Sequence, residues 1–340
     1  MTWELWQEDL PASEWDGLLI RAADAHPLQF HFWGEYRRMA GWEPVRYVAK
    51  NKNGAVAGMA QVLVKKILGV HVAWIAGTVA MQFQGADWHS ARRDLLESLV
   101  DKLKSGWKRC YIRFNFLVPH DHDYSFELGH ICSRPLFRLA GGYSAIIPLD
   151  KDNEGLAKDF SSKHRYYVKK SLKHEITWRS GNDPELASHM AMLLQEIVSS
   201  KKVNAIYSSP EEIGTLCRLA GEHVVMLVGY MDGRPVTACM AIIAGSRAFY
   251  QIAATGDKGR EISAAYAMIW HLLPLLKAQG VTHFDFGGLN PQDKGASGVS
   301  HFKRGFGGAV VEYLGEWECA SSEMLRLGVN LGIWKRGGRL

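Results

Sequence analysis

A carboxylate, Asp285, stands where an apolar extended segment, Thr282 to Phe286, runs into Gly287-Gly288. Glycines at a strand end let a ligand or a second backbone come close. A carboxylate there can accept the proton of an amine or hold an ammonium, or it can simply brace the strand end. Tyr250 falls on the strand expected to pair near that end, as a donor to an intermediate or as a structural half-buried tyrosine. A second chemical segment is Ser161-Ser-Lys-His-Arg-Tyr-Tyr-Val-Lys-Lys-Ser-Leu-Lys-His, in which Arg165, Lys169 and Lys173 recur every fourth residue. As a helix it carries one cationic stripe, with Lys163 and Lys170 beside it, able to contact phosphates or to remain a solvated face. No GxSxG elbow and no cysteine beside a plausible histidine partner argues for a covalent nucleophile. His164 and His174 have no second ligand pair at metal spacing, and His120 and His122, interleaved with Asp121 and Asp123, form a polar loop, so no metal is assigned.

The elements that must position these groups recur in two halves. Apolar periodicity predicts helices over Ser13–Asp24 and Leu28–Met39, then strands Val45–Lys50 and Ala55–Lys66 around the turn Lys52-Asn53-Gly54. A strand His71–Ala76, a helix Asp87–Leu103 with Leu95, Leu96, Leu99, Val100 and Leu103 on one face, and a strand Trp107–Phe116 follow. The second half repeats this β-β-β-α-β order: strands Val224–Tyr230, Pro235–Ala244 and Arg247–Ala254, helix Glu261–Gln279 and strand Thr282–Phe286. The expected fold class is therefore α+β, with a first domain over 1–145 and a second over 146–340. The final helix, Ser321–Lys335, is expected to pack on the second domain, with peripheral membrane contact as the alternative.

Composition limits the function classes. A chain of 340 residues, 47% hydrophobic and 22% charged, is an ordinary globular protein of about two domains. Five scattered cysteines without a CxxC pair suit a reducing compartment. The N-terminal stretch lacks a secretory pattern and the least polar stretch, Gly69–Phe83, is too short to span a bilayer, so a cytoplasmic location is expected. A formal charge of +5 permits an anionic partner without demanding one.

Three separated segments resemble the FemABX family of peptidoglycan-bridge aminoacyltransferases and related GNAT-like acyltransferases. They are Gln29-Phe-His-Phe-Trp-Gly-Glu-Tyr-Arg-Arg with Gly41-Trp-Glu-Pro; Ser162-Lys-His-Arg-Tyr-Tyr-Val-Lys-Lys-Ser; and Phe284-Asp-Phe-Gly-Gly-Leu-Asn-Pro with Val299-Ser-His-Phe-Lys-Arg-Gly-Phe-Gly-Gly and Glu312-Tyr-Leu-Gly. The third matches the family's C-terminal signature in order and spacing.

The resemblance implies two tandem GNAT-like domains, each a mixed, mostly antiparallel sheet flanked by helices, and amide formation from an activated ester. That reaction needs a positioned amine and positive charge where the oxyanion develops. The resemblance assigns the oxyanion role to Lys303, with Asp285 and Tyr250 as the other catalytic candidates. It places Arg37, or Arg38 beside it, on an acceptor diphosphate, with Trp33, Asn115, Gly287, Gly288, Asn290 and Arg304 around the substrate. Lys163, Arg165, Lys169 and Lys170 are the expected tRNA or phosphate contacts. Two departures, Asn115 in place of a carboxylate and the absence of an arginine in Asn204–Ser209, imply an acceptor other than the usual muropeptide.

The expected donor is aminoacyl-tRNA and the expected acceptor an amine of a lipid- or nucleotide-linked cell-wall precursor or a related compound; no cofactor is expected. An acyl-CoA donor is the alternative, which Thr255-Gly-Asp-Lys-Gly-Arg-Glu-Ile fits poorly as a phosphate-cradling loop. A third possibility is an idle module that binds nucleic acid or anionic headgroups through the basic helix.

Overall fold

The computed structural model describes residues 4–22, 24–51, 53–82, 88–201, 209–289 and 297–337. The chain divides into two compact units, Met1–Gly142 with Glu312–Leu340, and Tyr143–Val311.

The first unit begins with β1 (Glu4–Gln7), α1 (Ala12–Ile20) and α2 (His31–Arg38), then the meander β2 (Glu43–Lys50), β3 (Val56–Ile67) and β4 (Val70–Gly77), and the short β5 (Ala80–Met81). α3 (Trp88–Gly106) leads into β6 (Cys110–Pro119), which lies parallel to β4, and α4 (His122–Ile131) follows. The other pairings are antiparallel, including β1 on β2 and β5 on β3. Leu95, Leu96, Leu99, Val100 and Leu103 of α3 are buried in one cluster with Ile112, Phe114 and Phe116 of β6, the face their spacing predicts.

In the second unit, β7 (Tyr143–Pro148) precedes α5 (Asn153–Asp159), the basic helix α6 (Ser162–Ser171) and β8 (Thr177–Gly181). α7 (Pro184–Lys201) and α8 (Pro210–Ala220) lead to the meander β9 (Val224–Met231), β10 (Arg234–Ala244) and β11 (Arg247–Thr255). Then come α9 (Asp257–Glu261), α10 (Ala264–Ala278), β12 (His283–Asp285) and α11 (Ser297–Arg304). β12 lies parallel to β11 and antiparallel to β7, while β8, β9, β10 and β11 pair antiparallel in sequence. The order β9-β10-β11-α10-β12 thus repeats β2-β3-β4-α3-β6, and each unit is the expected mixed, mostly antiparallel sheet flanked by helices.

The C-terminal segment departs from expectation. β13 (Ala309–Ala320) pairs antiparallel with β6, setting Glu316 opposite Asn115 and Glu318 opposite Arg113. α12 (Glu323–Lys335) contacts β6 as well. Residues 312–340 therefore cluster with the first unit, not the second. Buried charge is the reason. Arg113 lies within 3.1 Å of Glu316; Glu318 accepts from Tyr111 at 2.6 Å, from Arg326 at 2.7 Å and from Asn330 at 2.8 Å. These ions are costly to bury unless each finds its partner, and this register supplies them. The expected helix 261–279 is α10, which starts three residues later, at Ala264, after Ser263 at φ +61°; Glu261 ends the short α9 before it.

Candidate active site

All the geometry of the candidate site belongs to the second unit. β12 ends at Asp285, and Gly287, at φ +61°, reverses the chain in a conformation that a Cβ would strain. The turn directs the Gly287 and Gly288 carbonyls at α11, whose Lys303 Nζ donates to them at 2.8 and 3.1 Å. Burial lowers the Lys303 pKa from its ordinary value to about 8, with the nearby Asp285 carboxylate acting in the opposite direction. An ammonium has three N–H donors, so two bonds to carbonyls leave one that has no partner among the described residues and can meet an incoming oxygen.

Asp285 is fully buried and engaged. Its Oδ1 accepts from the Ser144 hydroxyl on β7 and from the Gly287 N–H at 2.8 Å, and its Oδ2 lies 3.7 Å from Arg247 Nη2. These contacts tie it into the turn. Tyr250 lies half-buried on β11, its ring against Phe284 and Phe286 with centroids 5.8 and 5.5 Å apart. Burial raises its pKa well above the ordinary value, so it stays a neutral hydroxyl. We expect Asp285→Asn to keep an acceptor for Ser144 and Gly287 but to remove the charge that holds the Lys303 pKa up. The alkaline limb of kcat/KM then moves below its wild-type position near pH 8. An unmoved limb would show that the two groups are not coupled.

His164, which the sequence offered only as a flanking histidine, supports the lysine from beneath. It is buried on α6, with Nδ1 2.8 Å from Ser161 Oγ and Nε2 2.9 Å from the Phe302 carbonyl. A carbonyl only accepts, so the Nε2 proton is assigned there and Nδ1 accepts from the serine. Burial lowers the His164 pKa, keeping the ring neutral. Gly305 lies against this ring, and a Cβ there would stand 1.9 Å from His164 Cε1. The glycine of the Phe-Lys-Arg-Gly-Phe run is therefore the seat of the histidine that anchors the α11 backbone one residue before Lys303. Ser144 and Arg247 were likewise not singled out by sequence, because each touches Asp285 from a different strand with no local pattern.

The remaining candidates scatter. Arg304 is exposed beside Lys303, and Asn290 lies outside the described residues. On α6, Lys163 and Lys169 are exposed and Lys170 half-buried. Arg165, however, donates through Nη1 to the Lys158 carbonyl at 3.1 Å and to the Phe160 carbonyl, capping α5. Its guanidinium is thus already committed in part. In the first unit, Arg37 lies half-buried with its guanidinium carbon 5.9 Å from the Trp74 ring centroid, and its buried Nε has no hydrogen-bond partner among the described residues. Arg38 is paired with Glu35 at 2.9 Å, so of the two adjacent arginines it is the one already satisfied. Trp33 is buried against Tyr36, as wall and core. Asn115 lies on β6 opposite Glu316 and is nearly buried. Among the described residues no group of three or more His, Cys, Asp or Glu side chains could hold a metal ion.

The loop that would cradle a coenzyme A pyrophosphate runs from Thr255 into α9. Its Asp257 N–H, at the helix start, donates at 2.6 Å to a carboxylate oxygen of Glu196 from α7. An anion of the protein occupies the N–H group that a phosphate would need.

Comparison with known proteins places these features in context. The model of the FemAB family matches residues 187–326, which include the Gly287-Gly288 turn and Lys303. The lipid II:glycine glycyltransferase of Staphylococcus aureus strain COL is 20% identical over 88% of this chain and 90% of its own length. The crystal structure of FemX superposes with a TM-score of 0.81 at 17% identity, covering 96% of this chain and 100% of that one. A tandem GNAT protein from the clavulanic acid biosynthesis pathway superposes with a TM-score of 0.57 at 12% identity, covering 94% and 99%.

Proposed function

We propose that the chain is an acyltransferase of the FemAB type, which forms an amide bond by moving an aminoacyl group from aminoacyl-tRNA to an amine of a cell-wall precursor. The observation that carries the mechanism is the Lys303 ammonium, held by the Gly287 and Gly288 carbonyls with one N–H to spare. In this reading the amine nitrogen attacks the ester carbonyl, and the spare N–H of Lys303 meets the oxyanion that develops. The new C–N bond forms, the bond to the ribose oxygen breaks, and the amine proton leaves with that oxygen. Asp285 acts through position, shaping the turn and supporting the charge on Lys303. With its Oδ1 accepting two hydrogen bonds and its Oδ2 beside Arg247, the proton acceptor comes from the substrate. Tyr250 contributes a neutral donor at most.

Two further observations bear on the partners. The Glu196 carboxylate at the start of α9 disfavours a coenzyme A thioester, which supports the tRNA donor. The lipid II:glycine glycyltransferase relative is named for an acceptor on lipid II. Arg37, with its unpartnered buried Nε, is the better of the two arginines for an acceptor phosphate. Lys163, Lys169 and Lys170 remain for the tRNA backbone, each contact weakening with salt.

The test is transfer of radiolabel from a mixed pool of charged tRNAs to an amine-containing precursor extract, with and without RNase. Label transfer that RNase abolishes is the expected result. Transfer from acyl-CoA in the same extract, with none from tRNA, would move the chain to the thioester-dependent acyltransferases.

A further inference from the structure

The β3–β4 turn joins its strands through only Leu68 and Gly69, with φ of +49° and +78°. Both central residues of such a two-residue hairpin need positive φ, and Asn-Gly is the sequence that suits it. A leucine there is strained by its Cβ, and this one is also 88% exposed. Folding is better served by almost any small polar residue, so the leucine points to something outside the fold.

α12 presents the matching surface. Met324 is 86% exposed and joins Leu325, Val329 and Ile333 on the groove-lining side of the helix, while Leu327, Leu331 and Trp334 are exposed on another side. Between this helix and the β3–β4 turn lies an apolar groove of about 680 Å³ that includes Leu68, Val70, Val72, Val329 and Ile333. Three cations, Lys108, Arg109 and Arg336, line its edge, and none is paired with a carboxylate among the described residues. Arg326, by contrast, is held by Glu323 and Glu318.

We propose that this face of the first unit docks on an anionic lipid bilayer. Leu68 and Met324 enter the acyl boundary, the groove-lining side of α12 faces the interface, and the three cations meet lipid phosphates. α12 has 13 residues, fewer than the roughly 20 a spanning helix requires, so the contact is peripheral. Charge separates this occupant from a second copy of the chain, since a two-fold contact would bring the same cations face to face. The inference stands apart from the transfer reaction proposed above.

The experiment uses the full chain in sedimentation with vesicles of phosphatidylglycerol mixed with phosphatidylcholine, against phosphatidylcholine alone. The variant pairs Leu68→Asn, which suits the left-handed backbone, with Met324→Gln; thermal unfolding checks that it folds. Wild type is expected to pellet with the anionic vesicles at least tenfold more strongly than with the neutral ones, less so as salt rises. The variant is expected to lose at least tenfold in vesicle affinity while transfer to a water-soluble nucleotide-linked acceptor is unchanged. Equal pelleting of the variant, or no preference for anionic vesicles, would overturn the proposal. So would a concentration-dependent dimer that the same substitutions abolish, which would assign the face to a second copy.

Discussion

Lys303→Ala lowers kcat for amide formation by about 10²- to 10³-fold, the loss measured when one preorganised oxyanion donor is removed. The effect falls mainly on kcat, because in the proposed mechanism the third N–H of Lys303 meets an oxygen whose charge appears only in the transition state. Titration gives the signature of the mechanism. The Lys303 pKa is lowered to about 8, so the group is an ammonium below that value and a neutral amine above it. Activity that needs the ammonium therefore falls as pH rises through 8, and kcat/KM carries this limb as a property of the free enzyme. Lys303→Arg keeps a cation that does not titrate in this range, so its residual activity has no such limb, although its planar fork cannot reproduce the bonds to both glycine carbonyls. Kinetics across pH 6 to 10 on the three proteins, with circular dichroism to confirm folding, decide the matter. Full activity of Lys303→Ala would remove the lysine from the reaction.

Gly305→Ala destabilises the second unit by roughly 3 kcal/mol, the upper range for forcing an extra carbon into a filled site. The added Cβ would sit 1.9 to 2.3 Å from three atoms of the His164 ring. That ring cannot swing aside without giving up its bonds to Ser161 and the Phe302 carbonyl, and its other contacts include the rings of Tyr266, His301, Phe302 and Phe306. For a unit of this size the melting temperature falls by about 6 to 12 °C. The cause is separable by a double-mutant cycle. In a His164→Ala background the alanine at 305 has room, so the second substitution costs less than about 1 kcal/mol more. Additive losses in the cycle would mean that the glycine is needed for its backbone and not for the histidine.

Much of the site is written in adjacent residues. Asp285 and the two glycines lie within four positions of one another, and the Phe-Lys-Arg-Gly-Phe run puts Lys303 on the next described helix, so a linear pattern carried them. The repeated β-β-β-α-β order was legible for a similar reason, since alternation along strands and the leucine spacing of α3 are local consequences of which face is buried. The same periodicity placed the start of α10 three residues early, because the left-handed Ser263 that precedes Ala264 leaves the hydrophobic spacing almost intact.

Composition and local pattern by themselves determined an α+β chain of two like halves and a glycine turn beside a carboxylate; the resemblance to a known family pointed to Lys303. Tertiary structure alone decided which unit holds the C-terminal strand. Arg113 is 203 residues from Glu316, and nothing near either predicts that two buried ions meet in that register. It also decided that Asp285 is tied to the Gly287 N–H while Lys303 keeps one N–H without a partner among the described residues, and that Arg165 is committed to the end of α5 while Lys163 and Lys169 stand exposed. Each of these depends on which polar groups are brought together when water is removed. Residue order constrains that only through the complete set of partners that the packed chain supplies.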